Sequence, residues 1–294
     1  MKKARHWLAS RSGLLTLLTL AALLGMLGIT WQLYTPPPPP PPLLIAGGRL
    51  IQPLVAELAQ RFSQQTGEEV QVEAGGSMAG MAAVKRGAID IAMVGQPVPG
   101  LFSDPQTRQH LLARNSLAFI VHHQSPVRNL SQAQIRQVLT GEVRNWKALG
   151  GPDAPIEVLT WRKPALIALF VEWMVLGGQS VTHQARQVDD ASDMLASVAG
   201  NPLALGYVSL QDLPSRAAVR PLSIDGAPFS RATILSGHYP YIQDMYLVGY
   251  GACKPQETAF MRFIRTPEAQ AIIARHNLAP VYTHATESEP HHGQ

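Results

Sequence analysis

Cysteine is almost missing from this 294-residue chain: Cys253 stands alone, so no internal disulfide can form and stability must come from a packed core. Aromatic residues make up 6 % and charged residues 15 %, against 46 % hydrophobic. That balance excludes disordered and collagen-like chains and suits one domain of about 250 residues or two smaller ones. Acidic residues are absent from the first 42 positions, where Lys2, Lys3, Arg5 and Arg11 carry the charge. These four account for the whole net charge of +4, because the remaining 20 basic residues balance 20 acidic ones. The basic character belongs to the leader, so no nucleic-acid surface is expected.

Charge is also missing between Arg11 and Arg49. The apolar stretch from Gly13 to Tyr34 is long enough to cross a hydrocarbon core of about 30 Å as a helix. Residues 13–34 therefore read as a transmembrane signal-anchor, with residues 1–12 as a basic cytoplasmic flank. A cleaved signal peptide would have a shorter apolar stretch and a small-x-small cleavage site, which is not evident. Trp31 and Tyr34 suit the headgroup region, and the lack of a cysteine near position 30 argues against lipid attachment. Pro36 to Pro42 is an unbroken run of seven prolines, and residues 35–42 read as a stiff extracytoplasmic spacer of roughly 20 Å. The expected location is the inner (cytoplasmic) membrane, single-pass, with the folded residues 43–285 in the periplasm or outside the cell and a loose tail at 286–294.

From Leu43 onward short apolar runs alternate with amphipathic segments, the pattern of an α/β protein. Strands are predicted at 43–46, around Val70 and Val72, and at 89–94, 117–121, 156–160, 205–208 and 245–250. Helices are predicted from Ile51 to Gly67, over 78–86, after the capping-box spacing at Ser131 and Gln134, and over 164–175, 190–199, 257–264 and 267–276. In an open parallel sheet, ligands sit at the carboxyl ends of strands, where loops meet helix N-termini. The turns at Gly47-Gly48, Gly75-Gly76-Ser77 and Arg162 all fall there, although each glycine taken singly is accounted for by a tight turn.

Catalytic and metal constellations are incomplete. Gly75-Gly76-Ser77-Met78-Ala79 misses the last glycine of a serine-hydrolase elbow, and no histidine has the context of a triad partner. Ser77 reads equally as an anion ligand or a helix N-cap. His122-His123 and His291-His292 lack a second ligand pair at diagnostic spacing, so no metal centre and no cofactor is expected. Asp90 opens a buried strand, where a lone carboxylate needs either N–H partners or a ligand. Arg162, between a strand and a helix, is the best single anion candidate, with pairing to a surface acid as the alternative.

Taken in order, Ile45 to Leu54, Gly75 to Pro97, Leu130 to Gly151, Leu205 to Val208 and Gly237 to Leu247 resemble the phosphate-binding proteins of ABC transporters, within the type 2 periplasmic binding-protein superfamily. The resemblance implies two α/β lobes joined by crossing strands, about 43–121 with 245–285 and about 122–244, closing over an oxyanion by a hinge. By the family pattern Ser77 would donate to the anion, Arg162 would pair with it, and Asp90 would accept the proton of a protonated phosphate. Three departures stand out. Gly47-Gly48-Arg49-Leu50 replaces a hydroxyl-rich first loop, Gly95-Gln96 replaces a Ser-Arg, and Lys163 to Ala168 replaces a Ser-Gly-Thr. The expected anion site is therefore Gly48, Arg49, Ser77, Asp90, Arg162 and Lys163, with affinity or selectivity altered.

The expected function is a non-enzymatic, membrane-anchored solute-binding protein for inorganic phosphate or a related oxyanion, partnered by an ABC permease in the same membrane. The alternative is a degenerate sensor or interaction module that regulates an envelope partner without tight anion binding.

Overall fold

A computed structural model describes residues 11–33, 40–95, 100, 103–214 and 218–282. The basic flank up to residue 10, most of the proline spacer, Gln96 and the tail lie outside the described residues. The chain divides into two units, Met1–Pro41 and Pro42–Gln294. The first contains α1 (Arg11–Leu33), 23 residues with no proline or charge after Arg11 to interrupt it. Its described side chains, those of residues 15–28, are all exposed. Among the described residues, no helix is long and apolar enough to cross a membrane.

The second unit begins with β1 (Leu43–Gly47), α2 (Gln52–Thr66), β2 (Val70–Ala74), α3 (Ser77–Lys85) and β3 (Ile91–Val94). Leu54, Val55, Leu58 and Phe62 lie on one buried stripe of α2, and Gly67, at φ 75°, closes the helix by donating its N–H to Ser63 O. Both β2 and β3 run parallel to β1. All three strands therefore present their carboxyl ends on the same edge.

The long β4 (Thr107–His122) carries the chain out of this sheet. Its first half pairs antiparallel with β11 (Ile242–Tyr250), which also pairs with β3. Its second half pairs with β8 (Ala204–Ser209), which lies beside β6 (Glu157–Trp161) and then β7 (Arg186–Val188). Between them come β5 (Asn129–Leu130), α4 (Gln132–Thr140), α5 (Leu166–Met174) and α6 (Ala191–Gly200). The capping box on α4 forms as expected, with Gln134 N–H donating to Ser131 Oγ and the Gln134 side chain accepting from Ser131 N–H. After β8 the chain forms β9 (Val219–Pro221), β10 (Ser223–Ile224) and α7 (Arg231–Leu235); after β11 it forms α8 (Pro255–Phe263), α9 (Pro267–Arg275) and β12 (Ala279–Pro280).

Hydrophobic packing divides the body into two lobes. In lobe 1, β1, β3 and the first half of β4 pack on α2, α8 and α9, with Phe62 and Phe260 edge to face at 5.3 Å. Lobe 2 has a buried cluster built on Leu117, Phe119 and Val121 and a second on Ala118, Ile120 and Val208, because alternate residues of β4 face opposite sides of the sheet. The changeover along β4 falls between Ala113 and Leu117, ahead of the expected boundary at 121. Polar Arg114, Asn115 and Ser116 interrupt the apolar run there, and they hid the first half of this strand from the sequence pattern.

Candidate ligand-binding cleft

The carboxyl edge of lobe 1 brings three of the small residues together. Gly48 N–H donates to Met93 O at 2.8 Å, continuing the sheet past β1. Ser77 opens α3 one place inside the helix and is 5 % exposed; the N-cap is Gly76, which has no side chain to cap with. The Ser77 hydroxyl accepts instead from Gly95 N–H at 3.3 Å. A Cβ on Gly48 would lie 3.1 Å from Ser77 Oγ, and one on Gly47, at φ 144°, would lie 2.3 Å from Met93 O. Glycine is therefore needed for this close approach. Arg49 stands exposed beside it with no ion-pair partner among the described residues.

Asp90 is not part of this edge. It precedes β3 at the amino end of the parallel strands, five residues or about 16 Å from Gly95 along an extended chain. There its carboxylate accepts from Leu44 N–H at 2.8 Å and pairs with Lys254. The carboxylate found its partners in the sheet and in a lysine distant in sequence, so no ligand is required to satisfy it.

On lobe 2, Arg162 and Lys163 follow β6 as expected, but both are already engaged. Arg162 donates to the Asp189 carboxylate, and that hydrogen bond strengthens its hold on its proton. Lys163 pairs with Glu172 at 2.8 Å. What lobe 2 does place at the cleft is the start of α5. Ala165 caps it with no side-chain hydrogen bond; Ala168 N–H donates back to Ala165 O, and the N–H groups of Leu166 and Ile167 before it have no acceptor among the described residues.

Between the lobes lies a cavity of about 270 Å³. Leu50 lines it from lobe 1, and Leu117, Trp161, Leu166, Ile167 and Phe170 from lobe 2. Its polar lining is Asn115, Ser116, Ser209, Asp212 and Gln243. Several of these form a chain across the two crossing strands. Ser209 Oγ donates to Asn115 Oδ1 at 3.0 Å, Asn115 Nδ2 to Gln243 Oε1 at 3.3 Å, and Gln243 Nε2 to Gly95 O. Gly95 N–H then reaches Ser77, so the cleft floor links both lobe edges through uncharged groups. Asp212 stands exposed at the cavity.

The residues of this floor were missed from the sequence. Their one visible trace is the polar break at Asn115-Ser116 inside an otherwise apolar run.

Residues 34–268 match the PBP superfamily domain. The chain belongs to the PBP superfamily. Within it, the chain is 26 % identical over 242 residues to the phosphate-binding protein PstS of Bacillus subtilis, covering 80 % of this chain and 79 % of that one. PstS of Borreliella burgdorferi is 20 % identical over 248 residues, 81 % of this chain and 89 % of the relative. An ABC-type phosphate transport receptor from Vibrio cholerae shares the fold at a TM-score of 0.74 and 24 % identity, covering 81 % of this chain and 99 % of the receptor. A Clostridium perfringens substrate-binding protein solved with bound phosphate superposes at 0.61 with 25 % identity, covering 82 % of this chain and all of that one. These PBP-superfamily relatives are binding proteins, not enzymes, and the Vibrio cholerae receptor shares the fold of this chain.

Proposed function

We propose that this protein is a membrane-anchored, extracytoplasmic solute-binding protein that holds a phosphate-class oxyanion between its lobes and hands it to an ABC permease. The observation that carries the reading is the start of α3: buried Ser77 packed on Gly48 and Gly95 at the cleft edge of a PBP-superfamily lobe. Across the cleft the start of α5 offers the N–H groups of Leu166 and Ile167, so the anion is held by helix N-termini and Ser77, with Arg49 supplying charge. Asp90 has no role in this site.

Anchoring draws on the sequence alone: the apolar stretch without charge between Arg11 and Arg49 and the basic residues before it. In spheroplasts, protease added outside should degrade everything beyond the proline run and leave the N-terminal helix with the membrane. A full-length chain that washes off with carbonate overturns the anchor.

The ligand is tested by thermal unfolding of the full chain in detergent with phosphate or sulfate. A millimolar anion meeting a micromolar site stabilises by about 4 kcal/mol. No shift with either anion overturns oxyanion capture and favours the second reading, a sensor or interaction module on the same fold. That reading draws on the engagement of Arg162 by Asp189 and of Lys163 by Glu172.

A further inference from the structure

The cavity beside the proposed oxyanion position is poorly matched to a bare inorganic anion. Four oxygens at roughly 30 Å³ each fill less than half of its 270 Å³. Leu50, Leu117, Trp161, Leu166, Ile167 and Phe170 give it a largely apolar wall, which favours an apolar guest. Among the described residues Asp212 is the sole ionisable one lining it, and a carboxylate cannot neutralise an anion. Arg162 and Lys163, the nearby cations in sequence, are spent on Asp189 and Glu172 and do not line it. The charged part of a ligand therefore belongs at the Ser77 edge and the start of α5, and the cavity itself suits an uncharged part.

From this we infer that the solute is an organic phosphate or phosphonate whose aromatic or aliphatic substituent fills the cavity against Trp161, Leu166 and Phe170. The inference rests on the oxyanion reading above and adds the class of substituent. Leu50 on one lobe and Leu166 on the other would bury the substituent only when the lobes approach each other, so the organic group contributes to closure as well as to affinity.

Calorimetric titration of the full chain in detergent with phenylphosphonate, inorganic phosphate and benzyl alcohol tests it. Phenylphosphonate should bind at least tenfold more tightly than phosphate, and benzyl alcohol should bind far more weakly than phenylphosphonate. Leu166, 51 % exposed, can be changed without unfolding the helix. Leu166→Gln should narrow the phenylphosphonate-to-phosphate ratio at least fivefold, while Leu169→Gln on the same helix, exposed but outside the cavity, should not. Phosphate binding as tightly as phenylphosphonate overturns this inference and leaves the oxyanion reading standing. Benzyl alcohol binding as tightly as phenylphosphonate overturns both, because the anionic head then contributes nothing; so does failure of all three to bind.

Discussion

The two lobes present the same kind of edge, strand ends meeting helix starts, and have equipped it differently. Lobe 1 keeps its edge bare: Gly47, Gly48 and Gly95 let the backbone and Ser77 close on one another, and Arg49 is left exposed. Lobe 2 places two cations in sequence at the corresponding turn, then commits both to its own acids and lines the cleft with Trp161, Leu166 and Phe170. Charge located near a cleft is thus no measure of charge available to a ligand. What matters is which carboxylate reaches the cation first.

Four substitutions press on that contrast. The largest effect should come from Gly47→Ala, whose Cβ meets Met93 O at 2.3 Å in a left-handed backbone conformation; a loss of about 3 kcal/mol in unfolding free energy is expected, read as a lowered denaturant midpoint. An unchanged midpoint would show that the lobe 1 edge is not close-packed. Ser77→Ala should weaken phosphate binding by about 1.5 to 3 kcal/mol, ten- to a hundredfold, read by calorimetry. In the opposite direction, Asp189→Asn combined with Glu172→Gln releases Arg162 and Lys163, and phosphate should then bind about tenfold more tightly. If affinity stays put, the lobe 2 cations are out of reach of the ligand.

The smallest effect is remote from the cleft. Hydrogen bonds from Arg275 and His276 hold the Glu57 carboxyl below its ordinary range on the back of lobe 1. The stability this contributes is present above the unfolded-state pKa and is lost as pH falls through the folded one. Glu57→Gln should therefore cost less than about 1 kcal/mol at pH 7, and the difference should vanish in acid. A gap that persists in acid would mean that Glu57 acts through packing.

The α/β alternation was legible because period and capping are local: Ser131 and Gln134 announce α4, and Leu54, Val55, Leu58 and Phe62 announce α2. Ser77 could be placed at a helix start from its glycine turn. Asp90 could not be placed, since which end of a strand faces the ligand depends on sheet direction, and Lys254 lies far away in sequence. Arg162 was placed correctly on the chain, but its partnership with Asp189 depends on β7 (Arg186–Val188), a three-residue strand too short to carry a period. The cleft floor was hidden for the same reason. Asn115, Ser209 and Gln243 meet only once β4 lies between β8 and β11.

The long β4 also sets the order in which the two lobes receive their strands. Lobe 2 is drawn from one continuous stretch, the second half of β4 through to β11, whereas lobe 1 is assembled from residues before Ser116 and residues after Tyr241. As the chain emerges from its amino end, lobe 2 can complete its sheet while lobe 1 still lacks β11, α8 and α9. Lobe 1 must then close a loop of more than a hundred residues, and folding that other lobe first shortens the span to be closed. The lobe that carries Ser77 is the last to be completed, and a chain truncated before Ile242 lacks the strand that joins β3 to β4.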